Sequence, residues 1–135
     1  MRNGELARDY LRRARVRLGA LDVLFEAESW ADVVRESQEI VELALKGLLR
    51  SCGVEPPRVH DVSAILLAER HRLPTDLQCE VDWLADISRQ LRRDRELAFY
   101  GAEDLTPTDF YSRTDASAAR KGARRVVKFV YPQVR

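Results

Sequence analysis

Histidine and cysteine are the scarcest sources of chemistry in this chain: two of each occur in 135 residues. The cysteines, Cys52 and Cys79, sit in unrelated segments, so the sequence predicts reduced thiols and neither a disulfide scaffold nor a cysteine metal cluster. Aromatic residues make up only 7% of the chain, which leaves few platforms for stacking single-stranded bases. No apolar run approaches membrane-spanning length and the N-terminal stretch has no signal-peptide core, so no membrane association is expected and the cytoplasm is the expected compartment. Charge of one sign is lacking too. The formal net charge is +1, so any attraction to nucleic acid must come from local clusters and not from a global field. Gly and Pro are few and strand-like alternation of useful length is absent, which points away from a β-rich or disordered chain.

What is present is helical periodicity. Leu6, Tyr10, Leu11, Ala14, Leu18, Leu21, Leu24 and Phe25 recur at three- and four-residue steps and predict a long amphipathic first helix, with Arg8, Arg12, Arg13, Arg15 and Arg17 on its other faces. A second helix follows Ser29 as N-cap, with Asp32 in its first turn. It carries Val33, Val34, Ser37, Ile40, Val41, Ala44, Leu45, Leu48 and Leu49, and stops at Gly53 ahead of Pro56-Pro57. A short third helix is expected from His60 or Asp61 through Val62, Ile65 and Leu66. The fourth is expected to run from a Thr75 cap to about Gly101 on the stripe Leu77, Val81, Leu84, Ile87 and Leu91. Residues 102–111 read as a connection fixed by Pro107, Phe110 and Tyr111. A last helix from about Asp115 presents Ala116, Ala119, Ala123, Val126, Val127 and Val130, with Arg120, Lys121, Arg124, Arg125 and Lys128 opposite. The expected fold is all-α: an antiparallel up-and-down four-helix bundle with an additional short helix, forming one domain over residues 1–135.

The most informative segment is Arg92-Arg93-Asp94-Arg95-Glu96-Leu97-Ala98-Phe99-Tyr100-Gly101, in which three guanidinium groups lie close to a phenol near a helix end. Arginine forks suit phosphate and carboxylate, and a tyrosine ring can stack or hydrogen-bond. Arg93, Arg95, Tyr100, Asp94 and Glu96 are therefore the candidate nucleotide- or phosphate-binding residues, with the two acidic groups orienting the arginines. The other readings of these residues are a solvated cluster at a helix C-terminus and, for Tyr100, a packing anchor. Glu39 and Glu42 lie one turn apart and, with Lys46, suit an i, i+4 surface pair; without His or Asp partners they do not read as a metal site. His60, beside Asp61, reads first as a loop-ordering residue and secondarily as a binding residue. His71, between two arginines, reads as surface. Arg12-Arg13 and Arg124-Arg125 could extend a phosphate-tracking path if they align with the fourth-helix arginines.

The order of these motifs resembles HEPN domains. Glu36-Ser-Gln-Glu39-Ile-Val-Glu42-Leu-Ala-Leu-Lys46-Gly-Leu-Leu is similar to their second-helix signature with its Glu-x-x-x-Lys stretch, and Pro57-Arg-Val-His60-Asp61 to the Pro-x-x-His loop after it. Arg95-Glu-Leu-Ala-Phe-Tyr100-Gly101, Pro107, Tyr111 and Asp115-Ala116 resemble the later helices of one subgroup, associated with minimal nucleotidyltransferases. The resemblance implies a homodimeric bundle acting with such a nucleotidyltransferase, in pairs some of which are toxin and antitoxin. Active family members are metal-independent endoribonucleases with Arg, four to six residues, then His. Here Ala98 or Tyr100 stands at the histidine position, depending on whether Arg93 or Arg95 is aligned. RNA cleavage needs groups that titrate near neutrality to move the 2′-hydroxyl and leaving-group protons, and a phenol of pKa about 10 is poorly placed for that. The expectation is an accessory binding module with no cofactor and no metal, taking a nucleotide or RNA on its Arg/Tyr surface. The alternative is a divergent ribonuclease using Arg95 as catalytic residue, with Tyr100 or His60 carrying a proton across the dimer.

Overall fold

The structure, a computed structural model, describes the backbone of residues 2–100 and 106–134, and within these the side chains of all residues except 2, 93–100 and 109. Its helices are α1 (Arg2–Glu26), α2 (Trp30–Ser51), α3 (Ser63–Ala68), α4 (Thr75–Gln78), α5 (Val81–Tyr100), α6 (Pro107–Phe110) and α7 (Arg113–Val130), with single 3₁₀ turns at Arg70–Arg72 and Tyr131–Gln133. No strand occurs among the described residues. The all-α bundle expected from periodicity is the one found, with α1, α2, α5 and α7 as its long members.

Helix α2 is the axis of the bundle. It packs most extensively on α1, then on α7 and α5, whereas α5 and α7 barely touch. The reason lies in its composition: Val33, Val34, Ile40, Val41, Ala44, Leu45, Leu48 and Leu49 are all buried, an apolar band wider than a single contact face needs. α1 covers one side with Ala7, Leu11, Ala14 and Leu21, and α7 another with Ala116, Ala119, Ala123, Val126, Val127 and Val130. α1 runs antiparallel to α2, since Arg17 meets Glu36 and Glu39 while Gly47 lies against Ala7, Tyr10 and Leu11.

Both ends of the α2 segment are set by backbone chemistry. α1 closes with Ser29 N–H on the Leu24 carbonyl and Glu28 N–H on the Phe25 carbonyl, and Glu28 takes the left-handed φ of 59° that this closure requires. α2 ends the same way, with Val54 N–H on Leu49, Gly53 N–H on Arg50, and Gly53 at φ 78°. Ser29 does stand at the N-cap of α2, but its hydroxyl donates to Asp32 (2.6 Å) and makes no cap bond to the backbone.

Four expectations need correction. The helix expected from Thr75 to Gly101 is two pieces: Thr75 is the first residue of α4 after Pro74 at the N-cap, a tight turn closed by Glu80 N–H on the Leu77 carbonyl follows, and α5 begins at Val81. Gln78 Nε2 donates to the Leu73 carbonyl (3.0 Å), which ties the short piece back onto its entry loop. α3 begins at Ser63, not at His60 or Asp61, because Asp61 Oδ1 accepts from Ser63 N–H (2.8 Å) as a turn ahead of the helix. The 102–111 connection contains α6, opened by Pro107, where the absent N–H costs nothing. Beyond it, Ser112 and Asp115 form a reciprocal capping box, so α7 starts two residues earlier than Asp115.

Candidate functional site

The arginine-rich segment occupies the last turns of α5, whose backbone is helical as far as Tyr100. The side chains of Arg93, Asp94, Arg95, Glu96 and Tyr100 lie outside the described residues, as does Gly101. Helical register alone places positions 93 and 100, seven apart, on one azimuth and position 95 roughly 160° from position 93. Arg92, the last described side chain before them, is half-buried. N-terminal to the segment, α5 and α7 diverge over a cavity of about 710 Å³ lined by Ile87, Leu91, Tyr111, Ala118 and Gly122, with Val34 of α2 among its walls. Trp83 and Phe129 meet edge-on at 5.5 Å, and Arg125 lies 4.1 Å over the Trp83 ring.

A second polar constellation is fully described. Tyr10, Arg13 and Arg17 recur at three- and four-residue steps along α1, and Glu39, Glu42, Leu43 and Lys46 do so in the opposite direction along α2. Together with His60 they line an open cavity of about 380 Å³. Arg17 Nε donates to Glu36 Oε1 at 2.7 Å and its Nη2 to Glu39 Oε2, both partly buried. Burial works against the Arg17 charge, but the hydrogen bonds and attraction of the two carboxylates outweigh it and raise the guanidinium pKa. Glu42 is shared three ways: Oε1 pairs with Gln38 Nε2 (3.0 Å) and His60 Nδ1 (2.7 Å), and Oε2 accepts from Lys46 Nζ (2.8 Å). Burial pushes Glu42 up; the bonds from Lys46, Gln38 and His60, with the Lys46 charge, hold it below the ordinary carboxylate range.

These contacts fix the roles of several residues singled out in the sequence. Lys46 and Glu42 do form the expected i, i+4 pair, but with side chains only 16% and 18% exposed they belong to a half-buried network and not to an open surface. His60 orders its loop by bonding Glu42, and two residues on Val62 N–H donates to Ser88 Oγ (3.0 Å). That fixes the loop at the level of Ser88, about 10 Å along the α5 axis from position 95 and about 18 Å from position 100. His71 is exposed. The basic pairs outside α5 are largely engaged within the chain: Arg12 with Asp9 (2.7 Å), Arg120 (3.1 Å) and Arg124 with Asp22, Arg125 with Trp83. Cys52 and Cys79 are free thiols, and burial raises the Cys52 pKa against the opposing effects of Ser51 and Arg72. Among the described residues no group of three or more His, Cys, Asp or Glu is placed to hold a metal ion, and no helix is long and apolar enough to cross a membrane. What sequence reasoning missed is the facing of Arg13 and Arg17 toward α2. The available signal was the matching seven-residue span of the charged stripes at 10–17 and 39–46.

The Glu42 network makes a prediction for acid stability. A carboxyl whose folded pKa lies below its ordinary value near 4.5 stabilises the fold above that value, and the contribution is lost as pH falls through the lowered one. Urea unfolding of the wild type should therefore lose more stability between about pH 5 and pH 3 than that of Glu42→Gln. Equal losses in the two proteins would contradict it.

An all-α bundle organised on one central helix, with a Glu-x-x-x-Lys pair on that helix and a histidine loop folded onto it, defines a helical domain of the kind the motif order suggests. Residues 7–133 match the family model of the HEPN domain, and the chain belongs to that family. No curated protein and no solved structure matches the chain.

Proposed function

We propose that this protein is a HEPN binding module that works as a homodimer beside a minimal nucleotidyltransferase and takes a nucleotide or RNA on the Arg93/Arg95/Tyr100 segment. The observation that carries the reading is the sequence of the last turns of α5: Arg93 and Arg95 are present and no histidine lies between 92 and 101, the resemblance aligning Ala98 or Tyr100 with the histidine of active family members. Arginine can stabilise phosphoryl charge through its fork, but it cannot exchange protons near neutrality. A positioned acid–base group contributes about 10²–10⁴ in rate, so a segment with arginines and a phenol binds better than it cleaves. Membership in the family over residues 7–133 supports a HEPN module, and the shared azimuth of positions 93 and 100 on α5 supports their acting on one ligand group. A toxin–antitoxin arrangement is the setting the pairing suggests. In it the nucleotidyltransferase could also modify Tyr100, since a phenol can accept a nucleotidyl group.

The test is equilibrium binding of the purified chain to a fluorescent RNA oligonucleotide at fixed salt. Arg93→Ala and Arg95→Ala should each weaken binding by roughly tenfold, the worth of a charge-assisted hydrogen bond. Wild-type affinity in both variants would leave a purely structural dimer as the better description.

A further inference from the structure

The cavity between α1, α2 and the His60 loop has an unequal supply of hydrogen-bonding groups. Its two carboxylates are both engaged within the protein. Glu42 receives Gln38, His60 and Lys46, and Glu39 receives Arg17 and, at 3.6 Å, Arg35. Its donors are not used up. Arg13 lines the cavity, is exposed, and has no hydrogen bond or ion pair among the described residues. Lys46 spends one of three N–H bonds on Glu42, and the Tyr10 hydroxyl is unbonded while its ring is covered by Arg50 at 5.8 Å, whereas neutral His60 spends its one N–H on Glu42 through Nδ1. The charges point the same way. Arg13, Arg17 and Lys46 face Glu39 and Glu42, which leaves one net positive charge on the lining with His60 neutral, and Glu36 and Arg35 just outside cancel one another. The carboxylates act here as holders of the cations, fixing Lys46, His60 and Arg17 in place before any ligand arrives.

We infer that this cavity is a binding site for a phosphate monoester, with Arg13 and Lys46 on the phosphate oxygens and the Tyr10 hydroxyl completing the donor set. A tetrahedral oxyanion accepts from several donors at once, which suits the unpaired Arg13 guanidinium, the free Lys46 N–H groups and the Tyr10 hydroxyl. A volume of about 380 Å³ falls within the span of small-molecule sites, roughly 300–1,000 Å³. The site is built from α1, α2 and the loop before α3, so it stands or falls independently of the α5 segment.

Calorimetric titration of the full chain with inorganic phosphate and with adenosine 5′-monophosphate, using adenosine as the control, tests the assignment. Saturable binding of the phosphate-bearing probes and none of adenosine is expected, with affinity reduced by about tenfold in Arg13→Ala and in Lys46→Gln. Arg13 is exposed and makes no hydrogen bond or ion pair among the described residues, so its variant should keep the wild-type melting temperature and separate binding from folding. Lys121→Ala, which removes an exposed cation of α7 outside the cavity, should bind as the wild type does. No binding by the wild type, equal affinity in Arg13→Ala, or an equal loss of binding in Lys121→Ala would each overturn the assignment, the last by showing that any surface cation contributes as much.

Discussion

Arg17→Ala should destabilise the fold by about 2 kcal/mol, because it strands two carboxylates and not one. Glu36 and Glu39 are only 14% and 23% exposed, and Arg17 serves both from the far side of the α1–α2 seam. Removing one partner of a fully buried pair costs about 3–5 kcal/mol, and partial exposure lowers that toward the surface limit of about 1 kcal/mol. Glu39 keeps Arg35 at 3.6 Å, which further limits the loss. The origin of the effect is separable. If uncompensated charge is responsible, adding Glu36→Gln and Glu39→Gln to Arg17→Ala should restore most of the stability in urea unfolding. A triple variant as unstable as the single one would show instead that the packing of the arginine stem matters.

Gly47→Val should cost about 2–3 kcal/mol, through overpacking at the closest approach of α1 and α2. A Cβ at position 47 would lie 2.4 Å from Leu11 Cδ2, 3.1 Å from Tyr10 Cβ and 3.2 Å from the Ala7 carbonyl oxygen. Leu11 could swing away on an open surface, but it is 1% exposed in the core, and a carbonyl of α1 cannot move without the helix. The gain in helix propensity on replacing glycine, under about 1 kcal/mol, does not offset this. Gly122→Ala serves as the contrast, since its Cβ would meet only Ile87 at 3.7 Å, an ordinary contact. That variant should hold or gain stability in the same thermal melt, and equal losses at 47 and 122 would contradict the account of the α1–α2 seam.

The parts of this fold that the sequence displays are those governed by local periodicity. α1 and α2 follow from apolar spacing, and Gly53 follows from the need for a left-handed residue at the end of α2. The break between α4 and α5 has no such signal: Leu77, Val81 and Leu84 keep helical phase straight through the turn at Cys79 and Glu80, so periodicity predicts one helix where there are two. The capping box at Ser112 and Asp115 was present as a motif but hidden beside the apolar run that starts at Ala116. Sites divide in the same way. A linear motif exposes the α5 arginines, whereas the Tyr10/Arg13/Lys46/His60 cavity exists only once α1 lies antiparallel on α2, and in isolation Arg13 and Arg17 read as the solvent face of a helix. The centrality of α2 is likewise tertiary, arising from how wide its apolar band is once α1, α5 and α7 are all placed against it.

The central claim, binding in place of cleavage at the α5 segment, is tested most directly by incubating purified protein with RNA in the presence of a chelator. The account predicts RNA that stays intact through a long incubation and yet is retained by the wild type and released by Arg93→Ala. Progressive cleavage that survives the chelator and disappears in Arg95→Ala would contradict it and make the protein a metal-independent ribonuclease without the motif histidine.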